Sequence, residues 1–343
     1  MFMKTSNRIV FFHPADNFTG STHVLANVIE TDYTGKVYVV TEPNNGGFLS
    51  DLPNVKILPL WVVKRHGLNS ITWRLSWILW SIVCLFKFDT YYINTVIPYY
   101  PAFFGRLFQK KVIYHVHEKS VTNEHTYRVA EYVFNHVKCT KIFVSNYVKS
   151  QYPEVPGCKS IVKYNKLSPS YMSGVEMVPV KKRKRKNVLM VASLTKIKGV
   201  AMLVDVAKEL PEFNFVLILS ATTEQIDEYF GKSLPNNLTI YPKQSDVRPF
   251  IKATDLMLNL SHPFLCVETF GLTILESMPF GVPAVVPNVG GPLELVDNGV
   301  NGFCVDTSNK EEICEAIKKC LSAELYPKLC EGALLKFKEL NGK

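Results

Sequence analysis

Short apolar runs recur along this chain, each followed by a stretch whose apolar residues fall three or four positions apart. Residues 9–12 (IVFF) open the pattern as a strand, a small and polar loop covers 13–21, and 22–30 has helical spacing. Strands are next expected at 36–40 (KVYVV), 55–60, 89–96, 111–115, 141–144 and 161–164. Residues 166–179, rich in Ser, Pro and Met, show no period and read as a connection between domains. The rhythm then restarts with a strand at 187–192, a helix at 199–210, a strand at 213–219, a helix at 223–230 and a strand at 238–241. A helix at 246–253 leads into a strand at 256–260, and 270–278 has the spacing of a helix. Beyond it come a strand at 284–286, a short helix at 292–296 and a clearer one at 310–323, with Ile313, Ala316, Ile317 and Cys320 on one face. Strands joined by helices argue for parallel sheets in an α/β fold, here two similar halves with a cleft between them. The expected division is 1–180, 181–325 and a final segment, 326–343, packing back on the first domain as a helix.

Residues 68–86 are the most apolar segment, but the uninterrupted part after Arg74 is well short of the ~20 residues a spanning helix needs. The plain reading is a buried helix. The sharper one is a helix lying in a membrane surface, aided by Lys64, Arg65, Arg106, Lys110 and Lys111. Composition adds little to the fold: 343 residues, 47% hydrophobic and 20% charged, are globular proportions with apolar surface enough for two cores. Charge changes the picture more. The net +9 calls for an acidic partner, either anionic lipid or a phosphorylated ligand, whereas nucleic acid has no motif here to receive it. Six consecutive basic residues, 181–186, supply much of that charge and read as a solvated linker or strand lead-in. The eight cysteines are scattered, mostly in apolar runs, and none falls in a CxxC or a Cys/His cluster. Reduced thiols, and residues 1–8 leading straight into the first strand, point to the cytoplasm.

Candidate chemistry concentrates in 262–303. Glu268 and Thr269 follow the strand at 256–260 in a loop, and Gly271 stands near the start of the next helix. The first N–H groups of a helix have no intrahelical carbonyl and, with the helix dipole, favour an anion such as phosphate. A carboxylate beside that anion would be repelled by it, so Glu268 is expected to accept hydrogen bonds from neutral sugar hydroxyls, with Glu276 about two turns into the helix. In the first half, YHVHEKS places His115, His117 and Glu118 at the carboxyl end of a parallel strand, where ligands of open sheets collect.

The block ETFGLTILESMPFGVP, 268–283, resembles the E-x7-E signature of the retaining glycosyltransferases of family 4 (glycosyl transferases group 1). The following NVGGPLELVDNGVNGF, 288–303, resembles that family's next block. The resemblance covers the second half nearly throughout and the first half in outline. It implies the GT-B fold: two facing Rossmann-like domains with the site in the interdomain cleft, the first binding acceptor and the second the nucleotide sugar. By the same resemblance Glu268 would bind donor-sugar hydroxyls, Glu276 the ribose hydroxyls, and the segment of Thr269, Phe270, Gly271, Leu272 and Thr273 the donor's phosphate and sugar. VASLTKIKG, 191–199, falls where the family often shows G-R-L-x-x-x-K-G. Lys198 would therefore neutralise the departing diphosphate, while Ser193 replaces the expected arginine and Lys196 stands by to compensate. Val247 lies in the region that usually holds the base, Gly20 where the family carries a Gly-rich turn, and His117 resembles the cleft histidine that bonds the donor sugar. Pro279 is expected to end the preceding helix near Met278.

The resemblance implies a metal-independent hexosyltransferase needing no cofactor and working with retention. Its donor would be a UDP- or GDP-linked sugar and its acceptor a saccharide in polysaccharide or glycolipid biosynthesis; the positive charge and the apolar 68–86 segment, not the resemblance, favour a lipid-linked one over a soluble one. Two other readings are a non-catalytic partner subunit of the same fold that recruits another transferase, and a nucleotide-sugar epimerase. Taken singly, the residues also admit plainer roles: Glu268 as a helix cap, Glu276 paired with a surface lysine, Lys198 in solvent.

Overall fold

The computed structural model describes residues 8–43, 46–62, 69–118, 125–176, 178–180, 183–231, 234–265 and 267–342. Lys64, Arg65, Cys266 and the first two residues of the basic run lie outside them. The chain forms two compact units, 1–169 and 170–343.

The first unit runs β1 (Ile9–Ala15), α1 (Gly20–Asp32), β2 (Val37–Glu42), β3 (Val55–Pro59), α2 (Asn69–Leu85), β4 (Thr90–Asn94) and α3 (Tyr99–Leu107). It continues with β5 (Lys111–Val116), α4 (His125–His136), β6 (Thr140–Phe143), α5 (Asn146–Ser150), β7 (Lys159–Val162) and α6, Pro169–Ser173, which straddles the boundary. Its seven strands are all parallel, in the order β3-β2-β1-β4-β5-β6-β7. A parallel sheet covered on both faces demands continuous apolar strands, and Val10, Phe11 and Phe12 of β1 are fully buried accordingly.

The second unit holds β8 (Asn187–Ala192), a 3-10 turn (Lys196–Lys198), α7 (Val200–Glu209), β9 (Asn214–Leu219), α8 (Thr223–Phe230), β10 (Leu238–Tyr241), α9 (Arg248–Lys252) and β11 (Leu256–Leu258). Then follow α10 (Leu272–Ser277), β12 (Ala284–Pro287), α11 (Pro292–Leu295), β13 (Gly302–Val305), α12 (Lys310–Cys320) and α13 (Tyr326–Gly342). Its six parallel strands are ordered β10-β9-β8-β11-β12-β13. The predicted face of α12 is the one it buries, and Asn309 caps the helix by accepting from the Glu312 N–H. α13 packs within this unit: Leu329 and Cys330 join its core, and Lys336 pairs with Asp297 at 3.0 Å.

The connection packs on the second unit before residue 180. The Tyr171 hydroxyl donates to the Glu276 carbonyl at 3.0 Å, and Arg248 donates to the carbonyls of Ser170 and Tyr171. The basic run is not wholly solvated either: Arg183 is half-buried and donates to the carbonyls of Thr254 (2.6 Å) and Phe280 (2.5 Å).

Five elements go beyond the apolar pattern, namely α3, α4, α5, α6 and β13. In α3, Pro101 reads as a breaker, yet it falls in the first turn, where its missing N–H costs no intrahelical bond. β1 extends through His13 to Ala15, into the expected loop. α10 ends at Ser277, just ahead of Pro279 as expected, but starts only at Leu272, so Glu276 sits little more than one turn in. The expectation of a buried helix at 68–86 fails for one face of α2. Trp77 and Ser81 are buried, whereas Leu75, Leu79 and Val83 are exposed.

Candidate donor site

In each unit the chain leaves its first strand in one direction across the sheet and later returns to its other side. This makes a switch point, where neighbouring loops diverge above the carboxyl ends of adjacent strands. In the second unit those strands are β8 and β11. The loop after β8 carries Lys198, and the segment after β11 carries Asn259, Ser261 and Glu268.

The structure joins Lys198 and Glu268 directly. Lys198 Nζ lies 2.7 Å from Glu268 Oε2, with the side chains only 25% and 18% exposed. Ser261 Oγ and Asn259 Nδ2 also donate to Oε2, at 3.3 and 3.4 Å. Burial pushes the Glu268 carboxyl up, but the Lys198 charge and the bonds from Lys198, Asn259 and Ser261 outweigh it and hold the acid below its ordinary range. Glu268 is therefore ionised at neutral pH. Lys198 is not a solvated surface lysine.

Backbone geometry explains the placement. Gly199, at φ 72°, ends the 3-10 turn, and a Cβ there would lie 2.1 Å from the Leu260 carbonyl oxygen, so only glycine lets the Lys198 turn lie against the strand end. The Gly290-Gly291 loop packs on the backbone that carries the acid. The Gly291 N–H donates to the Glu268 carbonyl at 2.9 Å, and a Cβ at Gly291 would meet the Thr269 carbonyl oxygen at 2.0 Å. Gly271 caps α10 at φ 96° with no side-chain cap, which leaves the N–H groups of Leu272 and Thr273 at an uncapped helix start. Phe270 is buried beside them.

Glu276 is 4% exposed, and burial raises its carboxyl to about 8, so it is neutral at pH 7 rather than a solvated carboxylate. Ser193 and Lys196 are exposed, and Ser193 Oγ lies 3.4 Å from Thr195 Oγ1. Among the described residues the Glu268 carboxylate is met by Lys198, Asn259 and Ser261 alone, so neither Ser193 nor Lys196 completes the pair. Val247 precedes α9, and its carbonyl accepts from the Phe250 and Ile251 N–H groups. Among the described residues no three His, Cys, Asp or Glu side chains form a metal set.

The first unit has its own cluster, at the switch point between β1 and β4. His117 Nε2 lies 2.8 Å from Asn94 Oδ1, and Asn94 Nδ2 lies 3.0 Å from both His13 Nδ1 and the Ser21 carbonyl. A carbonyl can only accept, so the Asn94 amide group faces Ser21 and its oxygen faces His117. His117 must then carry its proton on Nε2, leaving Nδ1 as the acceptor. His13, accepting at Nδ1, donates from Nε2 to Thr22 Oγ1 at 2.9 Å, and Thr22 donates on to Asn17 Oδ1 at 2.7 Å. Burial, then the neighbouring His115 and His13, drives His117 far below its usual pKa, and burial takes His13 down to about 4, so both rings are neutral. Thr95 stands next to Asn94 in the left-handed region, φ 74°, with a buried hydroxyl that has no partner among the described residues. Such a conformation is rare for a β-branched residue. Gly20 opens α1 in empty space, where a side chain would meet nothing within 4 Å.

Sequence reasoning missed Asn259, Ser261, His13, Asn94 and Thr22. Four of the five share a signal, a polar residue at or just past the carboxyl end of an apolar strand.

Residues 177–332 match the family Glycosyl transferases group 1. The sucrose synthase of Melioribacter roseus is 43% identical over 77 residues, 21% of this chain and 10% of that protein, so the chain spans a tenth of this relative's length. An uncharacterised glycosyltransferase of Methanocaldococcus jannaschii is 27% identical over 187 residues, 53% of this chain and 50% of its own. Among solved structures, Anabaena HepE in complex with UDP and glucose superposes with a TM-score of 0.78 over 98% of this chain and 95% of its own, at 21% identity. A glycosyltransferase of Rickettsia africae gives 0.74 over 98% and 95%, at 17% identity. At these identities the likeness speaks for the fold, which is the two-sheet α/β arrangement of GT-B proteins. The E-x7-E block, the Gly290-Gly291 loop and the Lys198 turn all lie within the matched stretch, so it is the second unit, over 177–332, that carries the similarity to the glycosyl transferases group 1.

Proposed function

We propose that this protein is a retaining glycosyltransferase that takes glucose, or a closely similar sugar, from UDP and passes it to a saccharide acceptor. The observation that carries the reading is the ion pair of Lys198 with Glu268 above β11, beside the uncapped start of α10. Two structures of one relative in fold, Anabaena HepE, contain UDP with glucose or UDP-glucose, and the curated relatives include sucrose synthases, which supports the choice of base and sugar.

Departure of a nucleoside diphosphate builds negative charge on the leaving oxygen and positive charge on the anomeric carbon. Lys198 and the N–H groups of Leu272 and Thr273 meet the first. Glu268, kept ionised, accepts hydrogen bonds from the donor sugar's hydroxyls. Glu276 accepts from the ribose hydroxyls, and His117 accepts at Nδ1 from a further sugar hydroxyl. With the diphosphate leaving and the acceptor arriving on one face of the sugar, configuration is retained. A lipid-linked saccharide is the acceptor class that fits the chain's positive charge.

The test is nucleotide release from a panel of UDP- and GDP-sugars. UDP release from UDP-glucose, abolished in Glu268→Ala with its melting temperature preserved, is the expected result. No release and no nucleotide binding with any donor would leave the non-catalytic partner reading instead.

A further inference from the structure

The exposed face of α2 does not end with that helix. Leu75, Leu79 and Val83 follow one another at four-residue steps, with Phe86 just beyond. α3 packs against α2 and adds Phe103 and Leu107. These six side chains are 41–83% exposed, a run of large apolar groups that a water-facing surface does not ordinarily display.

Charge around the face is one-sided. Between residues 52 and 117 the sequence has eight Lys and Arg and a single acid, Asp89, against a net charge of +9 for all 343 residues. Asp89 is already engaged, by Arg8 at 3.2 Å and Lys110 at 3.9 Å. Lys87, Arg106 and Lys111 are exposed on or beside the two helices. Among the described residues no helix is long and apolar enough to cross a membrane.

We propose that the α2–α3 face docks on an anionic lipid bilayer, its apolar side chains entering the acyl boundary while Lys87, Arg106 and Lys111 meet the headgroups. A second copy of this chain fits poorly, because a two-fold contact would press the same positive stretch against itself. A bilayer supplies an apolar layer and negative charge together. The inference does not depend on the donor reading, and the two fail separately.

Flotation with vesicles of phosphatidylglycerol and phosphatidylcholine, compared with phosphatidylcholine alone, is the test. The 343-residue protein is expected to float with the anionic vesicles at low salt, and to be released at high salt. Leu79→Glu with Phe86→Glu should cut partition at least ten-fold without moving the melting temperature, since both side chains are exposed. Replacing Lys87, Arg106 and Lys111 by Gln should weaken binding and flatten its salt dependence. Nucleotide release from UDP-glucose in vesicle-free buffer should stay at the wild-type rate in all these variants. No flotation at low salt would overturn the proposal. So would a concentration-dependent dimer that Leu79→Glu dissociates, which would make a second copy the occupant.

Discussion

Lys198 and Glu268 hold each other in the free protein, so a donor that binds here has to divide them. On the proposed reading, its phosphates would take the ammonium, and its sugar hydroxyls would replace the hydrogen bonds the carboxylate gives up. Contact with Lys198 and the bonds from Asn259 and Ser261 keep the Glu268 carboxylate ionised. Lys198→Ala should slow turnover by ~10²–10³-fold, as when one donor to a developing anion is removed. A rate within two-fold of wild type would move that role to Lys196. Glu276 makes a second residue-scale prediction. Its carboxyl is raised to about 8 by burial, so its contribution to stability is fully present in acid and is lost as pH rises towards that value. Glu276→Gln, which cannot ionise, should melt higher than wild type at neutral pH, with the gain growing from about pH 5 to pH 8 and then level, to roughly 1–3 kcal/mol. It should also bind donor more weakly. A melting difference that ignores pH would show that Glu276 is not held neutral in the free protein.

At the scale of elements, the glycine-rich loop turns out to be scaffolding. Gly290 and Gly291 lie against the carbonyls of Glu268 and Thr269, and their lack of side chains lets the loop before α11 clamp the loop before α10. Gly291→Ala should lower stability by about 1–3 kcal/mol and weaken donor binding together, because the acid's backbone must shift to admit the methyl group. Unchanged melting and binding would show the contact to be slack. The same glycines mark what the sequence could disclose. Strands such as β1, β8 and β9 are legible because both faces are buried and their apolar runs are unbroken. α3 is hidden because Tyr and Pro open it, and β13 because four residues carry too little pattern. Glu268, Glu276 and Lys198 stand out through motif spacing. Asn94, Asn259 and His13 do not, because their importance lies in the strand that packs beside theirs, which a linear pattern does not specify.

Each unit sets a polar cluster at its own switch point, His117–Asn94–His13–Thr22 in the first and Lys198–Glu268–Asn259–Ser261 in the second. The two differ in kind. The first is a relay of neutral groups whose tautomers are locked by one backbone carbonyl, suited to reading hydroxyls. The second is charged, suited to an anionic leaving group. On the proposed reading, the second unit's charged cluster would take the donor's diphosphate and the first unit's neutral cluster would bond hydroxyls. That reading makes the charged cluster the place where donor affinity would originate. The central claim is therefore tested most directly by calorimetric titration of UDP-glucose into the wild type, Lys198→Ala and Glu268→Ala. Binding to the wild type that weakens at least ten-fold in each variant, about 1.4 kcal/mol, is the predicted result. Wild-type affinity in both variants would contradict it.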